Sequence, residues 1–354
     1  MKVTPTTQSR LDSVDLNNLV FGTTFTDHMV VCHFKNGAWD EPEVMPYGPF
    51  PIAPGAPVFH YGQAIFEGMK AYKDEAGDCF LFRPLENWKR FNKSATRLAM
   101  PEVPEEVFMD GLHRLVHMDS GWVVPGFDHA LYLRPFMFAN GEFISAKGAD
   151  EFTFMIVASP AGAYYKGDVK VKVEEEYARA AKGGVGEAKA AGNYAGAFYP
   201  TKLAQEQGFT QLLWTDAATH SYLEESGTMN IMMRVGDTLV TPSLTGTILE
   251  GITRKSVIKI AQDHDITVEE RPISVDELLT RLRDGSLTEL FGVGTAVIVS
   301  PISEVAYREE RYSISYTEES WAPRLKNWLL QLQHNKSEDP YGWRVKVQPS
   351  YENA

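Results

Sequence analysis

Hydrophobic residues recur along this chain with two periods, and the two periods mark its elements. The run Met29-Val30-Val31-Cys32-His33-Phe34 reads as a strand closed by the turn Asn36-Gly37. Residues 48–62 are rich in Pro and Gly, and Tyr61 to Tyr72 returns to apolar character around Phe66-Glu67-Gly68. Cys79 to Arg83 reads as a further strand running into Pro84. Trp88, Phe91, Ala95 and Leu98 then stand at helical spacing, as do Phe108, Leu112, Leu115 and Val116 behind a helix-starting Pro104. Residues 130–138 and 151–158 are apolar and β-rich. The segment Ser159-Pro160-Ala161-Gly162-Ala163 breaks the pattern and reads as a domain linker.

The second half opens on the alternation Val169, Val171, Val173, a half-buried strand. A helix is expected over 194–207, kinked or restarted at Pro200. Strands are expected at 210–215, 229–235 and 238–241, the last two joined by a Gly236-Asp237 hairpin turn. Thr253, Val257, Ile260 and Ala261 give an amphipathic helix over 253–263. Further helices are expected at 275–283 and 320–334, with a glycine-containing strand at 288–299. Residues 1–20 read as a polar arm. The mixture is α+β in two lobes.

Residues 183–196 interrupt these rhythms with Gly and Ala, and within them stands Lys189, with Glu187 as its only charged neighbour. Small residues let the backbone crowd a ligand, and a lysine desolvated among them becomes a usable amine nucleophile. Taken alone, the same stretch reads more readily as a flexible glycine-rich surface loop with an incidental lysine. It is not a Walker A loop, because Ala190 follows the lysine. Three other places have the chemistry of anion sites or their bland equivalents. Gly251-Ile252-Thr253 opens a helix and offers free N–H groups, or a routine threonine cap. Gly294-Thr295-Ala296 is a tight turn with exposed N–H groups, or a strand bulge. Glu225, ahead of Ser226-Gly227-Thr228, is a solvated turn or the buried partner of a cation.

Composition narrows the classes. With 354 residues, 44% hydrophobic and 23% charged, the chain has the make-up of a globular enzyme of one large or two ordinary domains. No apolar run approaches the roughly 20 residues of a membrane helix, and the first 20 residues lack the features of a signal or transit peptide. A cytoplasmic protein is expected. The net charge of -13 disfavours nucleic acid, so anions must be held locally. Cys32 and Cys79 are expected to stay reduced. His113 and His117 stand four apart on one helix but lack a third ligand, so no metal is expected.

Together these segments resemble the branched-chain amino acid aminotransferases, fold-type IV pyridoxal-phosphate enzymes. The resemblance rests on Phe21-Gly22-Thr23-Thr24-Phe25-Thr26-Asp27-His28-Met29, on His60-Tyr61 with Phe66-Glu67-Gly68-Met69-Lys70, and on the helix holding Arg90. It continues through Tyr132-Leu133-Arg134-Pro135, Lys189 with Gly192-Asn193-Tyr194, and Glu225 with Gly227-Thr228-Met229-Asn230. It ends in Gly251-Ile252-Thr253-Arg254, Phe291 to Ala296, and Gly342-Trp343-Arg344. Order and spacing make the match specific, and it runs nearly end to end. Two places depart from the pattern: Val297 to Ser300 lacks the Cys-x-x-Cys pair of some members, and Ala190-Ala191 stands where glycines are commoner.

The resemblance implies a small α/β domain at 1–160, a linker at 161–168, and a larger pseudo-barrel domain at 169–354, assembled as a homodimer. It implies pyridoxal 5′-phosphate as cofactor, with Lys189 as the Schiff-base lysine, Glu225 on the pyridine nitrogen and Tyr194 on the phenolic oxygen. Arg90, the N–H groups of Ile252 and Thr253, and the Thr295 hydroxyl would hold the phosphate. The substrate carboxylate would rest on the Thr295-Ala296 turn, helped by Tyr61. Phe25, Phe66 and Tyr132 would wall the side-chain pocket, and Arg134 would meet the γ-carboxylate of glutamate or support Tyr132. The implied reaction moves an amino group between L-leucine, L-isoleucine or L-valine and 2-oxoglutarate. Apolar walls discriminate by about 1–3 kcal/mol per methylene, so the three donors should be selected loosely. D-Amino acid transaminases and aminodeoxychorismate lyases share the lysine and glutamate logic, and a non-catalytic anion binder is the alternative from a different class.

Overall fold

The computed structural model describes residues 1–162 and 167–351, and these fall into two compact units. Unit 1 comprises Met1–Tyr164, Ala188–Gly192 and Gln331–Ala354; unit 2 comprises Tyr165–Glu187 and Asn193–Leu330. Residues 163–166, within the expected linker, lie outside the described residues. The strand before them runs on through Ser159, Pro160 and Ala161, so the Pro there ends no strand.

Unit 1 is built on one sheet. Its strands are β1 (Lys2–Val3), β2 (His28–Lys35), β3 (Ala38–Trp39), β4 (Glu43–Pro46), β5 (Ala64–Phe66), β6 (Met69–Lys73), β7 (Cys79–Phe82), β8 (Ala130–Ala139) and β9 (Phe152–Ala161). The order is β1-β4-β2-β9-β8-β6-β7, completed by the strand Arg344–Lys346, with β3 on β2 and β5 on β8. The short helix α1 (Pro57–Tyr61) precedes β5, while α2 (Pro84–Arg97) and α3 (Glu105–Met118) supply the helical layer. Phe91 of α2, Phe108 of α3 and Phe154 of β9 meet as an aromatic cluster, with centroids 5.5–5.8 Å apart. Gly111 permits the close approach of α3, since a Cβ there would come within 3.1 Å of Ile156.

Successive strand residues face opposite sides, and β8 uses this to separate core from site. Leu131, Leu133 and Met137 join the buried core with Phe91 and Phe108, whereas Tyr132, Arg134 and Phe136 face a cavity. The amino-terminal arm is tied down more firmly than its polar sequence suggests. Asp27 accepts hydrogen bonds from Ser9 Oγ, the Arg10 N–H and Trp122 Nε1. Burial works to raise that carboxyl, but these bonds and the Arg10 charge hold it below its ordinary range. Cys32 and Cys79 are buried free thiols.

Unit 2 carries β10 (Val169–Val173), β11 (Gln211–Thr215), β12 (Leu223–Ser226), β13 (Met229–Val235), β14 (Thr238–Thr241), β15 (Thr267–Glu270), β16 (Leu287–Gly294), β17 (Ile298–Tyr307) and β18 (Glu310–Ser313). The order β12-β11-β10-β17-β16-β13-β14-β15, with an additional β12–β13 pairing, closes six of the strands into a pseudo-barrel. The fold is therefore the expected mixed class. The helices α4 (Ala191–Glu206), α5 (Ile252–Asp263), α6 (Val275–Arg283) and α7 (Trp321–Gln333) follow in chain order. Ser274 caps α6 by accepting from the N–H of Glu277. Two expectations are corrected here. Pro200 lies inside an unbroken α4, and 288–299 is a hairpin, because the turn at 295–297 reverses the chain between β16 and β17. Ile298, with φ of 63°, absorbs that reversal in a left-handed conformation that β-branched residues rarely adopt.

One buried histidine in unit 1 makes acid stability measurable. His334 packs edge-on against Tyr72 and Phe127 at 4.7 and 5.2 Å, and neither ring nitrogen has a hydrogen-bond partner among the described residues. Burial lowers its pKa to about 4 from an ordinary 6.5. The folded state thus resists a proton that the unfolded state takes up, so its contribution is present above pH 6.5 and is lost as pH falls towards 4. His334→Phe should therefore lessen the stability lost between pH 7 and 5 by about 1–2 kcal/mol in urea titrations. An unchanged pH dependence would contradict this.

Candidate active site

The lysine stretch is shaped by unit 1. Its segment Ala188–Gly192 belongs to that unit, although the residues on either side belong to unit 2. The Lys189 carbonyl accepts the N–H of Phe66 at 3.0 Å, the Lys189 N–H donates to Ser94 Oγ at 2.9 Å, and Ala190 bridges to Ile65. The segment thus lies against β5 and is pinned to α2, which is not how a free surface loop behaves. Lys189 Nζ stands 4.9 Å from the centre of the Phe66 ring.

Next to Phe66 the chain buries a full charge. Glu67 is 0% exposed and receives Arg90 Nε at 2.7 Å and Nη2 at 2.8 Å, with Asn87 Nδ2 at 2.7 Å. Desolvation pushes its carboxyl up, but Arg90, then Lys189 and Asn87, outweigh this and hold it below its ordinary range. Two of the three Arg90 nitrogens are thus engaged by Glu67. The signal in the sequence was an acidic residue inside an apolar run, and it went unread.

Phe25, Phe66, Tyr132 and Arg134 come together around one cavity of about 430 Å³, joined by Phe21, Phe136 and Ala191 among others. The Arg134 guanidinium lies 4.5 Å from the Phe66 ring centre and its Nη2 donates to the Tyr132 hydroxyl at 3.0 Å. Gly68 is required at this point, because a Cβ would sit 2.1 Å from the Tyr132 hydroxyl oxygen. Phe21, just after the polar arm, meets Tyr132 edge-on at 4.9 Å and supplies a wall that was not expected from the sequence. Tyr61 is not part of this lining; it is exposed and its hydroxyl donates to the Ile144 carbonyl. His113 is a packed histidine whose Nδ1 accepts the Gln348 N–H at 3.0 Å.

Unit 2 holds the other expected residues. Glu225 is buried on β12, and its Oε1 accepts Asn230 Nδ2 and the Leu249 N–H, each at 3.0 Å. Arg179 Nε is paired with Oε2 at 2.7 Å, and Arg179 Nη2 donates to the carbonyls of Gly186 and Thr247. Arg179 was missed because it reads as one more charge in the alanine-rich run Ala178 to Ala181. Asn230 Nδ2 also donates to the Leu249 carbonyl at 2.9 Å, which ties Glu225 to the loop entering α5. That helix starts at Ile252 with no side-chain cap and no acidic residue in its first turn. Its leading N–H groups therefore favour an anion. Tyr194 lies on α4, and Thr295 and Ala296 form the turn between β16 and β17.

Comparison with known proteins agrees with this chemistry. Residues 64–305 match the family described as amino-transferase class IV. Over 350 residues the chain is 44% identical to a probable branched-chain-amino-acid aminotransferase of Staphylococcus epidermidis, covering 97% of each chain. It is 41% identical to branched-chain-amino-acid aminotransferase 2 of Bacillus subtilis, covering 96% of this chain and 95% of that one. The structure is similar to the branched-chain aminotransferase of Thermoproteus uzoniensis with norvaline, at 25% identity and TM-score 0.75, over 91% of this chain and 100% of that one. It is also similar to a T.th. branched-chain amino acid aminotransferase with pyridoxamine 5′-phosphate, at 25% identity and TM-score 0.71, over 90% and 98%. The chain belongs to the class IV aminotransferases. Within them it belongs to the branched-chain-amino-acid aminotransferases.

The Glu67–Arg90 pair gives a prediction of stability. Removing one partner of a buried pair strands the other charge, which costs about 3–5 kcal/mol. Glu67→Ala should lose about that much in urea unfolding, and Glu67→Gln distinctly less. Equal stability of Glu67→Ala and the parent chain would show that the pair does not hold this part of unit 1 together.

Proposed function

We propose that the enzyme transfers the α-amino group of L-leucine, L-isoleucine or L-valine to 2-oxoglutarate, and catalyses the reverse, using pyridoxal 5′-phosphate held on Lys189. The observation that carries this reading is the cavity of unit 1. Its walls are aromatic and aliphatic, its lining among the described residues includes one cation, Arg134, and it is bounded by Ala191 and Phe66 beside the Lys189 amine. Such a lining accepts a branched aliphatic chain along its apolar walls and a second carboxylate at the arginine.

The donor set of unit 2 fits the cofactor. A buried Glu225 carboxyl paired with Arg179 and bonded by Asn230 and the Leu249 N–H suits a protonated pyridine nitrogen, and an uncapped helix start suits a phosphate. When bound, the cofactor supplies an aldehyde carbon and an electron-withdrawing ring that accepts the electron pair left by the departing α-proton. Lys189 Nζ would hold that carbon and, once displaced by the substrate amine, take the α-proton and return it. Glu225 would keep the ring nitrogen protonated, with Arg179 and Asn230 fixing its carboxylate. Tyr194 would donate to the phenolic oxygen. Arg90, the Ile252 and Thr253 N–H groups and the Thr295 hydroxyl would bind the phosphate. The Thr295-Ala296 turn would orient the substrate carboxylate, with Tyr61 leaving the Ile144 carbonyl to assist. Phe25, Phe66 and Tyr132 would exclude water from the side chain. We read the enzyme as a cytoplasmic homodimer, as the resemblance implies; among the described residues no helix is long and apolar enough to cross a membrane.

The test is a panel of amino donors with 2-oxoglutarate and added pyridoxal phosphate, following keto-acid formation beside the cofactor's absorbance. The three branched L-amino acids should react at comparable rates. Lys189→Ala should lose about 10³-fold or more in turnover while keeping its fold by circular dichroism. Undiminished exchange between leucine and 2-oxoglutarate in that variant would remove Lys189 from the mechanism. Faster reaction with D-alanine than with L-leucine would reassign the enzyme to the D-amino acid branch.

A further inference from the structure

Unit 2 contains a second cavity that the aminotransferase reading does not use. It encloses about 580 Å³ and is lined by Ala217, Ala218, Leu223, Ile248 and two prolines, with Tyr222 at its exposed side. Its polar residues are Glu224, Asp216, Lys182, Ser243, Thr245 and Thr247. Glu224 is only 5% exposed. Its Oε1 accepts the Thr247 hydroxyl, which in turn meets the Thr245 hydroxyl at 2.8 Å. Its Oε2 has no hydrogen-bond partner among the described residues. A buried carboxyl oxygen without a donor costs stability, so a site that keeps one is built for something that supplies the donor.

The neighbouring charges identify what that is. Asp216 is consumed by its own turn, accepting the N–H groups of Thr219, Ser221 and Tyr222, which hold its pKa down at about 2 against the opposing effect of burial. Lys182 is exposed and forms no ion pair with Glu224 among the described residues. Arg179 lies near, but its pairing is with Glu225. Two carboxylates against one lysine leave the lining one positive charge short. Burial raises the Glu224 carboxyl above its ordinary range, outweighing the Thr247 hydrogen bond and the Arg179 charge that lower it.

We propose that this cavity is a binding site for a small organic monocation, an ammonium or amidinium with an apolar body, whose N–H donates to Glu224 Oε2 while the body packs against the alanines and prolines. The site is independent of the aminotransferase reading. It is linked to the same loop, however, because Thr247 meets Glu224 and Leu249, two residues on, donates to Glu225.

Benzamidine is a suitable probe, being a planar cation with an apolar ring that does not compete as an amino donor. Benzamide is its neutral near-isostere. Titration into the holoenzyme, followed by calorimetry and by ligand-observed NMR, should give one benzamidine per chain, with benzamide at least about 10-fold weaker, the scale of one charge-assisted hydrogen bond. Glu224→Gln should weaken benzamidine about 10-fold or more and leave benzamide unchanged, whereas Lys182→Met should strengthen benzamidine. Equal binding of the two probes, binding indifferent to Glu224→Gln, or a soaked crystal with the amidinium outside this cavity would each overturn the proposal. So would an absence of binding, which would mean that water or Lys182 itself satisfies Glu224.

Discussion

Unit 1 depends on keeping one carboxylate ionised where no water reaches it. Glu67 sits between two strands, and its two oxygens gather Arg90 and Asn87 from α2 and the N–H of Gly68. The pair therefore joins the helical layer to the turn between β5 and β6. The consequences run in both directions along the chain. Phe66 is fixed well enough for its N–H to hold the Lys189 carbonyl. Gly68 is fixed where the Tyr132 hydroxyl occupies the space that a Cβ would need. Lysine, aromatic walls and arginine are thus organised from one buried acid.

Unit 2 solves a similar problem with a different set of partners. Glu225 is neutralised by Arg179 and bonded by Asn230 and the Leu249 N–H, so the charge is spread over three segments of chain. Gly251 is part of this device, since a Cβ there would lie 2.0 Å from Asn230 Oδ1. The absence of a side chain at that point allows a polar residue to brace a carboxylate directly beneath an open helix start. Adjacent to it, Glu224 faces the other way along β12, as neighbouring strand residues must. It meets a threonine ladder where its neighbour meets an arginine. Two consecutive glutamates thereby acquire unrelated chemistry.

Much of this was legible in the chain. Periodicity located α2, α3, β10 and α5, which bury one face, and continuous apolar runs located β8 and β9, which are buried at nearly every position. Among the elements it missed, β12 is buried at all four positions and β15 at none, so neither shows an alternation. Pro200 misled because a proline is tolerated within α4, where low apolar demand and small neighbours leave room for its ring. At 288–299 the Gly294-Thr295-Ala296 turn was one of the two readings open, and the single strand drawn across it failed because Ile298, a residue type that argues against a turn, takes the left-handed angle that completes the reversal.

The sequence by itself determined the kind of site: a lysine among small residues, an acid before Gly-Thr-Met-Asn, a helix opening on Gly-Ile-Thr, and aromatic residues at strand positions. Those are local properties, written in residue type and spacing. Only the tertiary structure decided who neutralises whom. Glu67 with Arg90 is 23 positions apart, and Arg179 with Glu225 is 46 apart. It also decided which glutamate of an adjacent pair is satisfied, and it seated Phe21 against Tyr132 across 111 positions. Charge pairing in a buried interior is set by folding the chain back on itself, and no local pattern of residues records it.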